Sequence, residues 1–185
     1  MIALTTIIML PLMGGVIGYI GGGWKSYRGI SIKIAIVNYV ISLMMWVGYD
    51  GNSMEYQYVE DWGSIFGSGM CHMIVGVDSV SMWLIILTTY LTIPILLTPP
   101  SKSDVRAVTN YTITILLLEG LTIALFAVLD ILIFYILYES LLIPLFLIVG
   151  IWGSRERRID AAYQLFLYTL LGSLFLLIGI LVIYN

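Results

Sequence analysis

Two carboxylates in this sequence stand where water is scarce. Glu119 and Glu139 interrupt an apolar tract, residues 111–151, that is otherwise broken only by Asp130. At about 1.5 Å per residue the tract is too long for one crossing of a hydrocarbon layer ~30 Å thick. It therefore predicts a helical hairpin that turns at Asp130, whose carboxylate can reach water and cap the second helix. Glu119 lies eleven residues before Asp130 and Glu139 nine after it, offsets of ~16 and ~14 Å that put both near mid-membrane at similar depth. An acid at a helix centre costs on the order of 2.5–3.5 kcal/mol to insert. Such a residue points to ion or proton transfer; the plain structural alternative is an inter-helix hydrogen bond from a protonated glutamate.

Glu139 has the richer surroundings. It sits in the run Tyr138-Glu139-Ser140-Leu141-Leu142-Ile143-Pro144. Pro144 has no N–H to give the Ser140 carbonyl, so this turn carries a free acceptor and is expected to kink. Water is favoured beside such a carbonyl within an otherwise dry helix. Tyr135, one turn earlier, shares the Glu139 face and is placed to hydrogen-bond to it, with Ser140 as a second neighbour. A packing kink with no chemistry is the alternative. Burial penalises a charged carboxylate and a nearby cation favours it, and proton transfer needs the two in balance. Every cation of the chain lies in or beside a loop. Either Glu139 stays protonated and inert, or another chain lends it a cation.

The elements that hold these residues follow from composition. Of 185 residues 61% are hydrophobic and 10% charged, with a mean hydropathy of +1.04. Soluble domains average about 25% charged residues, so the chain reads as one integral membrane bundle over residues 1–185. It is too apolar for disorder and too poor in Lys and Arg for a nucleic-acid face. The single cysteine excludes a disulfide framework. Apolar runs predict an all-α, polytopic fold of six transmembrane helices near 2–22, 30–48, 80–98, 110–128, 131–151 and 161–183. A β-barrel is excluded because its strands alternate apolar and polar residues.

The eight cations are Lys25, Arg28, Lys33, Lys102, Arg106, Arg155, Arg157 and Arg158, all in or next to the loops after helices 1, 3 and 5. The opposite loops carry Asp50, Glu55, Glu60, Asp61 and Asp78 without a cation. The positive-inside rule then places both termini on the outer side and the basic loops on the cytoplasmic or matrix side. The N-terminus has neither the basic start of a secretory signal nor the Arg-rich pattern of a transit peptide.

Weaker signals invite structural readings. Gly14, Gly18 and Gly22 form successive GxxxG steps, with Gly15, Gly21 and Gly23 beside them, and suit close helix packing. No phosphate loop is implied, since no GKS or GKT follows. Met70-Cys71-His72-Met73 is a poor metal site. Trp24, Trp46, Trp62, Trp83 and Trp152 fall mostly near expected interfaces, as anchors. No flavin, haem, iron–sulfur or nicotinamide motif is visible, so no cofactor or metal is expected on this chain.

One resemblance is specific. Residues 134–144 (FYILYESLLIP), 150–164 (GIWGSRERRIDAAYQ) and 165–173 (LFLYTLLGS), with Gly76-Val77-Asp78-Ser79-Val80-Ser81, closely resemble the subunit 4 family of proton-pumping NADH:ubiquinone oxidoreductase, respiratory complex I, in its mitochondrial form. The first 75 residues match mainly in hydropathy and helix count. The resemblance implies an antiporter-like, non-redox subunit of the membrane arm in the mitochondrial inner membrane. FMN, iron–sulfur clusters and ubiquinone are then expected elsewhere in the complex. It matches Glu139 to the family's fifth-helix glutamate, assigned to proton translocation, and lends no comparable support to Glu119, which is left as a second carboxyl able to assist. Family members use lysines on their seventh and eighth helices, within inverted five-helix repeats. Six helices would cut the first repeat in two. The expectation is therefore the first part of a split subunit, with the missing lysines on a second polypeptide and with other membrane-arm subunits and lipids as partners. The competing readings are a structural membrane-arm piece without a proton path and a stand-alone cation/proton transporter.

Overall fold

The computed structural model describes residues 3–20, 27–51, 55–64, 72–98 and 105–184. Along the chain run α1 (Ala3–Ile20), α2 (Tyr27–Val47), β1 (Gln57–Ser64), β2 (His72–Val77), α3 (Ser79–Leu97), α4 (Val105–Ala127), α5 (Ile131–Trp152) and α6 (Arg158–Tyr184). Among the described residues six helices are long and apolar enough to cross a membrane. In such runs a helix is the one open-chain form that satisfies every backbone group from within. The helices α2, α4 and α6 begin three to five residues before the spans expected from hydropathy. The added turns carry Arg28, Arg106 and Arg158, whose aliphatic stems suit the interface while their charged heads reach water. Gly21, Gly22, Gly23, Trp24, Lys25, Met70, Cys71 and Lys102, named above, lie outside the described residues.

The turn at Asp130 forms as expected. Its side chain accepts the Leu132 N–H at 2.8 Å and caps α5. Hydropathy assigned no element to residues 50–76, where the structure has an antiparallel β1–β2 hairpin with two register shifts. Tyr58, Glu60 and Trp62 alternate on the inward face of β1, as period-2 backbone requires. The Tyr58 hydroxyl donates to the Met45 carbonyl at 3.0 Å, Trp62 Nε1 donates to Thr5 Oγ1 at 3.1 Å, and Thr5 Oγ1 donates to Glu60. The hairpin thus closes one end of the bundle over the fully buried Val75 and Val77.

Four helices make the body. The helix α1 packs mainly on α4 and α2 mainly on α3, while α5 packs on α4 and α6 on α5. In α4 56% of the best apolar window is buried, against 11% in α6, which marks α4 as the central element. Small residues allow the close contacts. A Cβ on Gly18 would sit 2.0 Å from the Tyr27 ring, and one on Gly120 2.7 Å from Leu12. Tyr27, so seated, donates its hydroxyl to the Gly14 carbonyl at 2.6 Å. At the basic end Arg28 donates to the Leu97 carbonyl at 2.8 Å and Arg158 to the Gly153 carbonyl at 3.2 Å. Both cations therefore sit at helix C-termini, where free carbonyls and the helix dipole favour positive charge. Trp46 and Trp83 pair at the hairpin end, and Trp152 meets Tyr111 edge-on at the basic end.

Candidate functional site

The α4–α5 hairpin brings the two intramembrane carboxylates to one depth. Glu119 precedes the last residue of α4 by eight positions and Glu139 follows the first of α5 by eight, so each lies ~12 Å along its helix from the turn. Their surroundings differ completely.

Glu119 is 0% exposed. Asn38, also fully buried, donates from Nδ2 to Glu119 Oε1 at 2.8 Å, joining α2 to α4. The Thr92 hydroxyl of α3 stands beside the same carboxylate while donating to the Thr89 carbonyl. One turn along, Ser42 of α2 and Thr89 of α3 share a buried hydroxyl–hydroxyl bond of 3.0 Å. The buried face of α2 runs Tyr27, Ser31, Ala35, Asn38, Ser42, Met45, steps of three and four that keep one side of a helix turned inward. Small and polar residues on that face let three helices meet around hydrogen bonds, which in hydrocarbon do the work that the hydrophobic effect does in water. Glu119 Oε2 and Asn38 Oδ1 are buried with no hydrogen-bond partner among the described residues. Sequence reasoning missed Asn38 and Ser42. The available signal was an amide and a hydroxyl at i and i+4 in residues 34–47 of α2, a stretch without charge, a pairing expected to meet an intramembrane acid.

Glu139 is half-buried. Ile136 and Ile143, one turn before and one after it on the same face, are 45% and 63% exposed, so this face of α5 opens outward. No hydrogen bond joins Tyr135 to Glu139 among the described residues, and Ser140 Oγ donates at 2.7 Å to the Ile136 carbonyl instead. The expected pairing of Tyr135 with Glu139 is therefore not formed. Pro144 is buried within a helix that runs unbroken from Ile131 to Trp152. The Ser140 carbonyl lacks its usual donor there through the chemistry of proline alone. Behind this face Phe146 meets Tyr163 and Phe166 edge-on and fastens α6 to α5. No group of three or more His, Cys, Asp or Glu able to hold a metal occurs among the described residues.

Comparison with known proteins adds to this geometry. Residues 128–185, which include α5 and α6, match the family model described as NADH:quinone oxidoreductase/Mrp antiporter, TM. Over 98% of its length the chain is 39% identical to NADH-ubiquinone oxidoreductase chain 4 of Mycosarcoma maydis, covering 38% of that protein. With chain 4 of Marchantia polymorpha identity is 40%, over 98% of this chain and 37% of the relative. Subunit M of the NADH-quinone oxidoreductase of Rhodobacter capsulatus is 36% identical over 86% of this chain and 30% of its own length. The chain spans well under half the length of these curated relatives.

Proposed function

For an antiporter-like membrane chain related along nearly its whole length to chain 4 of NADH-ubiquinone oxidoreductase, we propose that it serves the membrane arm of that proton-pumping complex in the mitochondrial inner membrane. Glu139 is its proton-transfer group, and the observation that carries this reading is a carboxyl ~12 Å below the turn on an open helix face. The N-terminal end of α1, the C-terminal end of α6 and the β-hairpin face outward, and the end carrying Arg28, Arg106 and Arg155 faces the matrix. Redox chemistry, with FMN, iron–sulfur clusters and ubiquinone, takes place on other subunits.

The counter-charge comes from lysine-bearing helices beyond the six described, which cover the exposed face of α5 and α6. An ammonium held ~4 Å from a carboxylate in a partly hydrated site changes the energy of the charged pair by about 4 kcal/mol. Movement of that lysine therefore moves the proton, which is the coupling that transfer needs. The Ser140 carbonyl left free by Pro144 offers a foothold for the water that carries it. Glu119 has no open side and takes a different part.

Glu139→Gln in the assembled complex tests the reading. Proton pumping per NADH oxidised is expected to fall while the complex still assembles. Normal pumping in an assembled variant would overturn the proton role and leave a structural membrane-arm piece. Isolation of the native chain outside any NADH-oxidising assembly would instead favour a stand-alone cation/proton transporter.

A further inference from the structure

The two unpartnered buried atoms beside Glu119 belong to the two residues that already share a hydrogen bond. Asn38 Nδ2 donates to Glu119 Oε1 at 2.8 Å, while the other oxygen of each group, Asn38 Oδ1 and Glu119 Oε2, has no partner among the described residues. With Glu119 ionised both remain acceptors without a donor among the described residues, since the Thr92 hydroxyl beside the carboxylate already donates to the Thr89 carbonyl. A buried acceptor so left is costly. A single hydrogen on Oε2 removes both defects at once, because Oε2 becomes a donor and Oδ1 is its matching acceptor. We infer that Glu119 is a resident neutral acid that donates from Oε2 to Asn38 Oδ1, so that α2 and α4 are clasped by a two-point acid–amide pair.

No cation competes for this role. Among the described residues, the charged side chains on the helices packed against α4 are Arg28, Lys33 and Glu139. Lys33 is exposed, and Arg28 is engaged with the end of α3 at the basic face. Glu119 is thus a positioning residue. It fixes the register of α4 at the depth where α5, which also packs on α4, carries Glu139. The inference does not depend on the proton role of Glu139.

Infrared difference spectroscopy on native membranes carrying the full chain tests it. Wild type minus Glu119→Gln should show the loss of a protonated-carboxyl C=O band that shifts to lower frequency in D2O. Asn38→Leu should move that band to higher frequency, because the acid loses its acceptor. Loss of a pair of ionised-carboxylate bands in the Gln variant would overturn the inference, as would a carboxyl band unmoved by Asn38→Leu. If Glu119→Gln does not accumulate, wild type minus Asn38→Leu decides alone. A shift in the protonated-carboxyl region supports the pair and a flat trace there overturns it.

Discussion

The α1–α4 body and the α5–α6 hairpin each hold one carboxyl at the same depth, and they treat it in opposite ways. In the body Glu119 is fully buried and answered by Asn38 from a neighbouring helix. In the hairpin Glu139 is half-buried, and Ile136 and Ile143 on its face lie open. A buried, answered acid contributes to the fold, since removing its partner strands a polar group in hydrocarbon. An open, unanswered acid contributes nothing to this chain's own packing. Under the proposed function, its insertion cost of a few kcal/mol is met by its role in the assembled complex. Depth alone, which is what a hydropathy plot offers, does not separate the two cases.

The contrast can be broken by experiment, starting where the largest effect is expected. Glu139→Gln should reduce coupled pumping at least tenfold, by comparison with the 10²–10⁴-fold contributions usual for a positioned proton-transfer group. The melting temperature of the assembled complex should stay unchanged. A matching fall in melting temperature would mean that Glu139 is a packing residue after all. Asn38→Leu should do the reverse in kind, costing about 1–3 kcal/mol of stability by leaving Glu119 without its partner, read as a lower unfolding midpoint in detergent titration. Gly18→Val drives a side chain into the Tyr27 ring and displaces the Tyr27–Gly14 hydrogen bond. A cost of about 1–3 kcal/mol is expected from the overpacking alone, measured the same way. Trp62→Phe keeps the ring but removes the bond to Thr5, for about 0.5–1.5 kcal/mol. Ser140→Ala should change neither stability nor pumping measurably, because its hydroxyl bonds back to its own helix. A pumping defect in Ser140→Ala would extend the transfer site beyond Glu139.

Much of the body could be read from the chain because its signals are local and long. Each span is a long apolar run broken by at most one charged residue, and the turn at Asp130 is one charged residue at the midpoint of a tract too long for a single crossing. The β-hairpin escaped because its inward set on β1 includes Glu60 beside Tyr58 and Trp62, and a carboxylate in that set erases the hydropathy alternation. What holds Glu60 there is the Thr5 hydroxyl, 55 positions away. The Asn38–Glu119 pair spans 81 positions and was invisible for the same reason, since nothing in either helix's own pattern names its partner. Glu139 stood out by the run around it, yet the run suggested a bond to Tyr135 that does not form. Local spacing states which side chains share a face and leaves open which way each turns.

The corner between α4 and α5 does not hang free. Val128 bridges Val75 of β2, and the Leu129 N–H donates to the Ile74 carbonyl at 3.0 Å. A strand tied to a corner in this way behaves as a lever arm. Rocking of α5 would tug β2, and through β1 the Thr5 end of α1, so under the proposed proton role of Glu139 a probe on the hairpin would register from outside the bilayer an event in its middle.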